Sequence, residues 1–86
     1  MKIRVSMMGR HYHEAERLPE LLDLQEQASL DDALDRLGEL LAPGDGFPGS
    51  CLVAVSGKHV GTIASHSSVT LMDGDELMLL APVAGG

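Results

Sequence analysis

Thiols and aromatic rings are scarce in this chain: it has one cysteine, Cys51, one tyrosine, one phenylalanine and no tryptophan. A single thiol excludes an internal disulfide, a cysteine-ligated iron–sulfur cluster and a four-cysteine zinc site within one copy, and it suits a reducing compartment. Cations are few as well, six lysines and arginines against thirteen aspartates and glutamates, for a formal charge of −7. That balance opposes binding to nucleic acid or to anionic membrane surfaces, so the expected partner is a basic protein surface. Long hydrophobic runs are missing too. Apolar residues after Lys2 and Arg4 alternate with polar ones rather than forming a signal-peptide core, and no segment could span a bilayer. The cytoplasm is therefore the default expectation.

What is present is ordinary for a small globular protein, with 44% apolar and 22% charged residues in 86 positions. One core and one domain are all that a chain of this length supports. Ile3, Val5 and Met7 alternate with Lys2, Arg4 and Ser6, which predicts a strand over 2–8 with one wet face. Gly9 interrupts it, and the polar run 10–17 has neither the helical nor the strand period, so a loop is expected. The segment from Leu18 to Gln27 suits either element. A helix start at Ser29 decides the matter and assigns a strand to 21–26.

Ser29 followed three positions later by Asp32 has the form of a capping box, with aspartate in the usual Glu or Gln place. Leu30, Leu34, Leu37 and Leu41 then recur on one face, and Asp31, Asp32, Asp35 and Glu39 fall on the other. Pro43, Gly44, Gly46, Pro48 and Gly49 end the helix in a loop. The apolar run Cys51–Val55, a turn at Ser56, Gly57 and Lys58, and a return over 59–63 read as a hairpin. After a brief alternation at Val69 and Leu71, Asp73 and Gly74 turn the chain into a last strand, 76–80, with Leu77 and Leu79 on one face. The first and last strands have the strongest apolar pattern and are expected side by side at the centre of a mixed sheet, with the helix packed across one face. This is an α+β fold, the β-grasp arrangement of ubiquitin-like domains, over residues 1–81 with a tail over 82–86.

The tail is Pro82, Val83, Ala84, Gly85 and Gly86. Proline removes a ladder donor and ends the sheet, and the residues after it have too little apolar surface to dock, so the tail is expected to project. Glycine lacks a Cβ, and a chain ending in two of them can thread a channel too narrow for other residues. A free terminal carboxylate is ionised at neutral pH and is a poor electrophile, which calls for activation as an acyl adenylate made from ATP. The chain has no phosphate-binding G-x-x-x-x-G-K-[ST] loop and no nucleophile-and-base motif to perform that step, so an enzyme supplies it. The chain itself is then substrate and carrier, not a catalyst alone.

The run Leu71, Met72, Asp73, Gly74, Asp75, Glu76 and Leu77, followed by Pro82 to Gly86, resembles the end of the MoaD/ThiS family of ubiquitin-like sulfur carriers, above all its molybdopterin synthase small subunits. The strand, helix and hairpin before it match in order and spacing. The resemblance implies that an E1-like enzyme adenylates Gly86, that the carboxylate becomes a thiocarboxylate with Gly85 beside it, and that the tail enters a large synthase subunit holding the catalytic groups. Its sulfur would pass to a pterin precursor in molybdenum cofactor synthesis. Many members have two aromatics and a Pro-Pro pair before the tail, where this chain has Leu79, Leu80, Ala81 and Pro82. Two alternatives stay open: a sulfur carrier for thiazole, cysteine or another thiolation, and a ubiquitin-like binding module or modifier that carries no sulfur.

Met78 and Leu80 are expected on the face opposite Leu77 and Leu79, where with Pro82, Val83 and Ala84 they would form a docking surface for the activating or synthase partner. His11 and His13 form too sparse a set for a metal site, and His59 and His66 have less support still, so no metal and no bound cofactor are expected. Cys51 reads as a small buried residue. The acidic helix face is read as solvated surface; Asp73, Asp75 and Glu76, nearer the tail, are candidates for steering a basic partner.

Overall fold

The computed structural model describes residues 1–8, 19–40 and 49–80. The loop expected over 9–17, Leu41, the loop residues Pro43 to Pro48, Ala81 and the whole tail over 82–86 lie outside the described residues.

Five strands and one helix follow the chain: β1 (Lys2–Met8), β2 (Leu21–Asp23), α1 (Leu30–Glu39), β3 (Leu52–Val55), β4 (Lys58–Thr62) and β5 (Glu76–Leu80). The strands form a single sheet in the order β2-β1-β5-β3-β4. β1 and β5 run parallel at its centre, from Arg4 opposite Glu76 to Met8 opposite Leu80, and the remaining neighbours are antiparallel. This is the expected mixed sheet of the ubiquitin-like β-grasp fold, with its first and last strands side by side.

Alternation decides which side of each strand is dry. Ile3, Val53, Leu77 and Leu79 are fully buried on one face, joined by Val5, Leu22 and Val55. Against that face α1 sets Leu30, Ala33 and Leu37, each buried apolar side chain of leucine size contributing about 1.5–3 kcal/mol. The helical stripe centres on Ala33, with Leu34 only half-buried, because a helix lying close on a sheet leaves room for a small residue at its line of nearest approach. Its start is the expected capping box: Ser29 Oγ accepts from the Asp32 amide at 3.1 Å, and Asp32 Oδ2 accepts from the Ser29 amide at 2.9 Å. Its end comes earlier than the leucine repeat suggested, at Glu39 with Leu40 as the cap.

β2 is shorter than the strand expected over 21–26. Its ladder with β1 covers only Leu21 to Asp23, and Leu24 exchanges its amide and carbonyl bonds with Met1 at 2.9 and 2.8 Å. Beyond Leu24 the chain turns through Glu26 and Gln27, the latter at φ 67°. Periodicity reports which face a residue occupies, but the length of a strand depends on its partner.

The β3–β4 hairpin closes through Ser56 (φ 49°) and Gly57 (φ 84°), the two left-handed central positions of a type I′ turn. Serine is unusual there, and its side chain is held in place: Ser56 Oγ donates to Asp75 Oδ1 at 2.9 Å and accepts from the Glu76 amide at 3.2 Å. In β4, a register shift between Val53 and Ala54 leaves Val60 as an extra residue, with Ala54 opposite His59 and Val53 opposite Gly61. Gly61, at φ +136°, then forms a bridge with His66, and the chain folds back over the outer edge of β4 through Ser67 N–H to Val60 O at 2.9 Å. That return covers part of an edge that would otherwise offer free backbone groups to another strand. Among the described residues no helix is long and apolar enough to cross a membrane.

Two outcomes follow from this geometry. A Cβ at Gly61 would stand 2.4 Å from the Ser65 carbonyl oxygen, whereas at Gly57 it meets nothing within 4 Å and faces only the strain of its φ. Denaturant titration should therefore give a loss of about 1–2 kcal/mol for Gly57→Ala and a clearly larger one for Gly61→Ala. Cys51 is fully buried, and burial pushes its thiol above the ordinary range of about 9. Alkylation of native protein by iodoacetamide should be slow at neutral pH and should become fast when denaturant opens the core.

Candidate functional site

The residues that precede the tail are held from both sides. β5 lies between β1 and β3, and its last described residue, Leu80, stands opposite Met8 on one neighbour and Leu52 on the other. Leu77 and Leu79 anchor the strand in the core with no exposed surface. A chain leaving Leu80 thus departs from a rigid root at the middle of the sheet. Pro82, Val83, Ala84, Gly85 and Gly86 lie outside the described residues.

Met78 and Leu80 fall on the outer face, opposite Leu77 and Leu79, where alternation put them. Leu80 is 39% exposed and Met78 half-buried. They are not an isolated pair. The register places Met8, 53% exposed, beside Leu80, with Leu52 on its other side and Ala54 beside Met78. The result is a continuous apolar patch of Met8, Leu80, Leu52, Met78 and Ala54 on the outer sheet face at the exit of β5. Sequence reading missed Met8 and Leu52 as members. The signal was available for Met8, which shares the parity of Lys2, Arg4 and Ser6, but only strand pairing brings it next to Leu80.

Beside the patch, a shallow depression of about 450 Å³ is lined by Arg4, Val5, Ser6, Glu20, Leu21 and Glu76. Here the outer face turns polar, with the Arg4 guanidinium between strands that carry carboxylates. A second depression of similar size runs along the solvent side of α1 and is lined by Asp23, Glu26, Asp32, Asp35, Arg36 and Glu39 among others.

The carboxylates nearest the tail in sequence prove to have structural partners. Asp73 Oδ1 accepts from the Lys2 amide at 2.8 Å, bracing the start of β1. Asp75 Oδ2 accepts from the Met72 amide at 2.8 Å, and its other oxygen takes the Ser56 hydroxyl. Both therefore hold the turn before β5 against its neighbours, and of the three residues considered for steering only the exposed Glu76 has a carboxylate outside these bonds. The acidic face of α1 is exposed as expected, but it is not purely solvated: Asp32 closes the capping box on Ser29, Glu39 accepts from Arg36 Nη1 at 3.1 Å, and Asp31 has a partner across the chain. Asp31 Oδ1 receives His66 Nε2 at 2.6 Å, and the Thr62 carbonyl receives Nδ1 of the same ring at 2.8 Å. The Asp31 carboxylate, and after it the Thr62 carbonyl, raise the His66 pKa above the ordinary histidine range. His59 is exposed on β4; His11 and His13 lie outside the described residues. Among the described residues no group of three His, Cys, Asp or Glu side chains is placed to hold a metal ion.

The described residues thus set a fixed strand end at Leu80 with an apolar patch around it. Comparison with known proteins adds the family. The model of the ThiS family matches residues 9–86, a span that includes most of the sheet, the helix and the whole tail. Neither the curated proteins nor the solved structures give a match. By this match over nearly its full length, the chain belongs to the ThiS family of ubiquitin-like sulfur carriers.

Proposed function

We propose that the chain carries sulfur on its Gly86 carboxylate as the small subunit of a molybdopterin synthase. The observation that supports this most is the coincidence, at one point of the fold, of a strand end fixed in the core and a family match that runs on through Gly85 and Gly86. ThiS-family carriers generally work with E1-like activating enzymes. In the proposed sequence a carboxylate oxygen of Gly86 attacks the α-phosphorus of ATP, pyrophosphate departs, and an acyl adenylate forms. Sulfide then attacks the acyl carbon and expels AMP, and the terminus is left as a thiocarboxylate. Inserted into the large synthase subunit, its sulfur bonds to a carbon of a pterin precursor, displacing an oxygen leaving group, and water hydrolyses the resulting thioester, which leaves the sulfur on the precursor and regenerates the carboxylate.

Each part of the chain has a role in this scheme. Gly85 and Gly86 pass through the narrow entry of the partner's reaction centre because neither has a Cβ. Pro82, Val83 and Ala84 span the distance from the sheet. Met78 and Leu80, together with Met8 and Leu52, form the dry contact that the partner covers while it holds the tail, and exclusion of water there protects the adenylate from hydrolysis.

A second acceptor is favoured by one observation: Leu79, Leu80, Ala81 and Pro82 stand where many molybdopterin synthase subunits have aromatics and a Pro-Pro pair. In that reading the same thiocarboxylate serves thiazole formation or another thiolation. Co-purification of the large partner separates the two.

Incubation with the authentic E1-like enzyme, ATP and a sulfur donor is expected to raise the mass of the chain by one oxygen-to-sulfur exchange at Gly86. An unchanged mass refutes sulfur carriage, and isopeptide-linked conjugates in its place would indicate a modifier. Gly85→Ala, or any residue appended after Gly86, is expected to abolish thiocarboxylate turnover with almost no change in Tm. Leu80→Asp should leave stability within about 1 kcal/mol, since the side chain is on the outer face, yet weaken binding to the activating enzyme at least tenfold; equal affinity would remove the patch from the docking surface.

A further inference from the structure

We propose that the protonated ring of His66 is a pH-dependent clamp that fastens the connector between β4 and β5 onto the first turn of α1. Both ring nitrogens face oxygens that can only accept: the Thr62 carbonyl at 2.8 Å from Nδ1 and the Asp31 carboxylate at 2.6 Å from Nε2. A neutral imidazole has one N–H and one lone pair, so it can satisfy only one of the two and turns its lone pair on the other; the imidazolium satisfies both. The ring is also little exposed, 11%, which keeps water from replacing a lost bond, while Asp31 is 67% exposed.

The clamp closes a wider seam. From His66 onward the connector is stitched to its surroundings by backbone bonds: Ser67 N–H to Val60 O at 2.9 Å, Leu30 N–H to Val69 O at 2.8 Å and Leu71 N–H to Ala28 O at 2.8 Å. Leu71 is a core residue. The His66–Asp31 contact is the side-chain bond that joins this seam to the helix, and it lies at the point where the connector leaves β4.

Among the described residues Asp31 is the carboxylate bonded to the ring. On α1, Asp32 is turned into the capping box on Ser29, and Asp35, one turn beyond Asp31, is not a hydrogen-bond partner of the ring. β4 carries Lys58 and His59 at its hairpin end and uncharged Gly61 and Thr62 next to the ring; β3 has no charged residue; and the connector has none but His66 itself from Ile63 to Met72. The sign follows directly. A histidine whose folded-state pKa lies above its unfolded value contributes its full stabilisation below about pH 6.5 and loses it as pH rises through the folded-state value. Rising pH therefore loosens the connector and the helix start; acidification tightens them.

The test is residue-specific NMR on the full chain, wild type and Asp31→Asn. The wild-type His66 midpoint is expected above the ordinary value of about 6.5, with protons on both ring nitrogens below it, and Asp31→Asn should move that midpoint down. Hydrogen-exchange protection at Ser67 and Leu71, corrected for intrinsic base catalysis, should fall through the wild-type midpoint and lose that dependence in Asp31→Asn. The exposed Asp31 can be replaced without unfolding the protein. Asparagine also removes a favourable charge from the helix start at every pH, so the pH slope and not the absolute stability gives the answer. His66→Gln, which cannot gain charge, leaves the other three histidines in place and should abolish the same slope. A His66 midpoint that is unshifted, one that is indifferent to Asp31→Asn, or protection that does not change with pH overturns the proposal.

Discussion

The parallel pairing of β1 with β5 is the constraint on which the rest of the structure depends. It joins the first and last strands of the chain at the centre of the sheet, buries Leu77 and Leu79 completely and brings Met8 beside Leu80. Parallel strands cannot be joined by a tight turn, so all the intervening elements have to be laid out as the crossover between them. α1 fills that role on the dry face, and β3 and β4 complete the sheet on the far side of β5. Removal of this one ladder would divide the sheet into β2–β1 and β5–β3–β4.

The same ladder separates the two faces by purpose. Inward residues are apolar and pack with Leu30, Ala33 and Leu37 of α1 and with Cys51 and Leu71 in one core. Outward residues of β1, β3 and β5 form an apolar patch at one end, near the departure of the tail, and grade into Arg4, Glu76 and Glu20 at the other. A solvated sheet face normally alternates toward polar residues, so methionines and leucines at Met8, Leu52, Met78 and Leu80 break that rule where the proposed chemistry needs a partner to sit. Acidic residues are divided in a similar way. On α1, Asp31 meets His66, Asp32 caps the helix through Ser29 and Glu39 pairs with Arg36, while Asp73 and Asp75, which a reading of charge alone would give to a partner, are used to hold β1, the hairpin turn and the entry to β5 in register.

The seam around His66 shows how a short chain fixes a long connection. Residues 63–70 have no regular ladder of their own, and backbone bonds to β4 and to the start of α1 supply what a strand would otherwise provide. Gly61 permits the close return because no Cβ fits against Ser65.

By itself the sequence determined the local and periodic features of this protein. Alternation in Ile3, Val5, Leu77 and Leu79 marked the buried faces, Ser29 and Asp32 marked the helix start, and the Asp73–Gly74 and Ser56–Gly57 turns marked the chain reversals, because each depends on neighbours a few residues away. The tail motif was legible for the same reason, as a run of residues whose chemistry does not depend on packing. Tertiary structure decided the rest: the end of the β2 ladder at Asp23, the substitution of Ala33 for Leu34 at the helix–sheet contact, the recruitment of Met8 and Leu52 beside Leu80, the bonds of Asp73 and Asp75, and the meeting of His66 with Asp31. Each of these joins residues distant in the chain, and a pattern with period two or three and a half fixes which way a side chain faces without fixing what it meets.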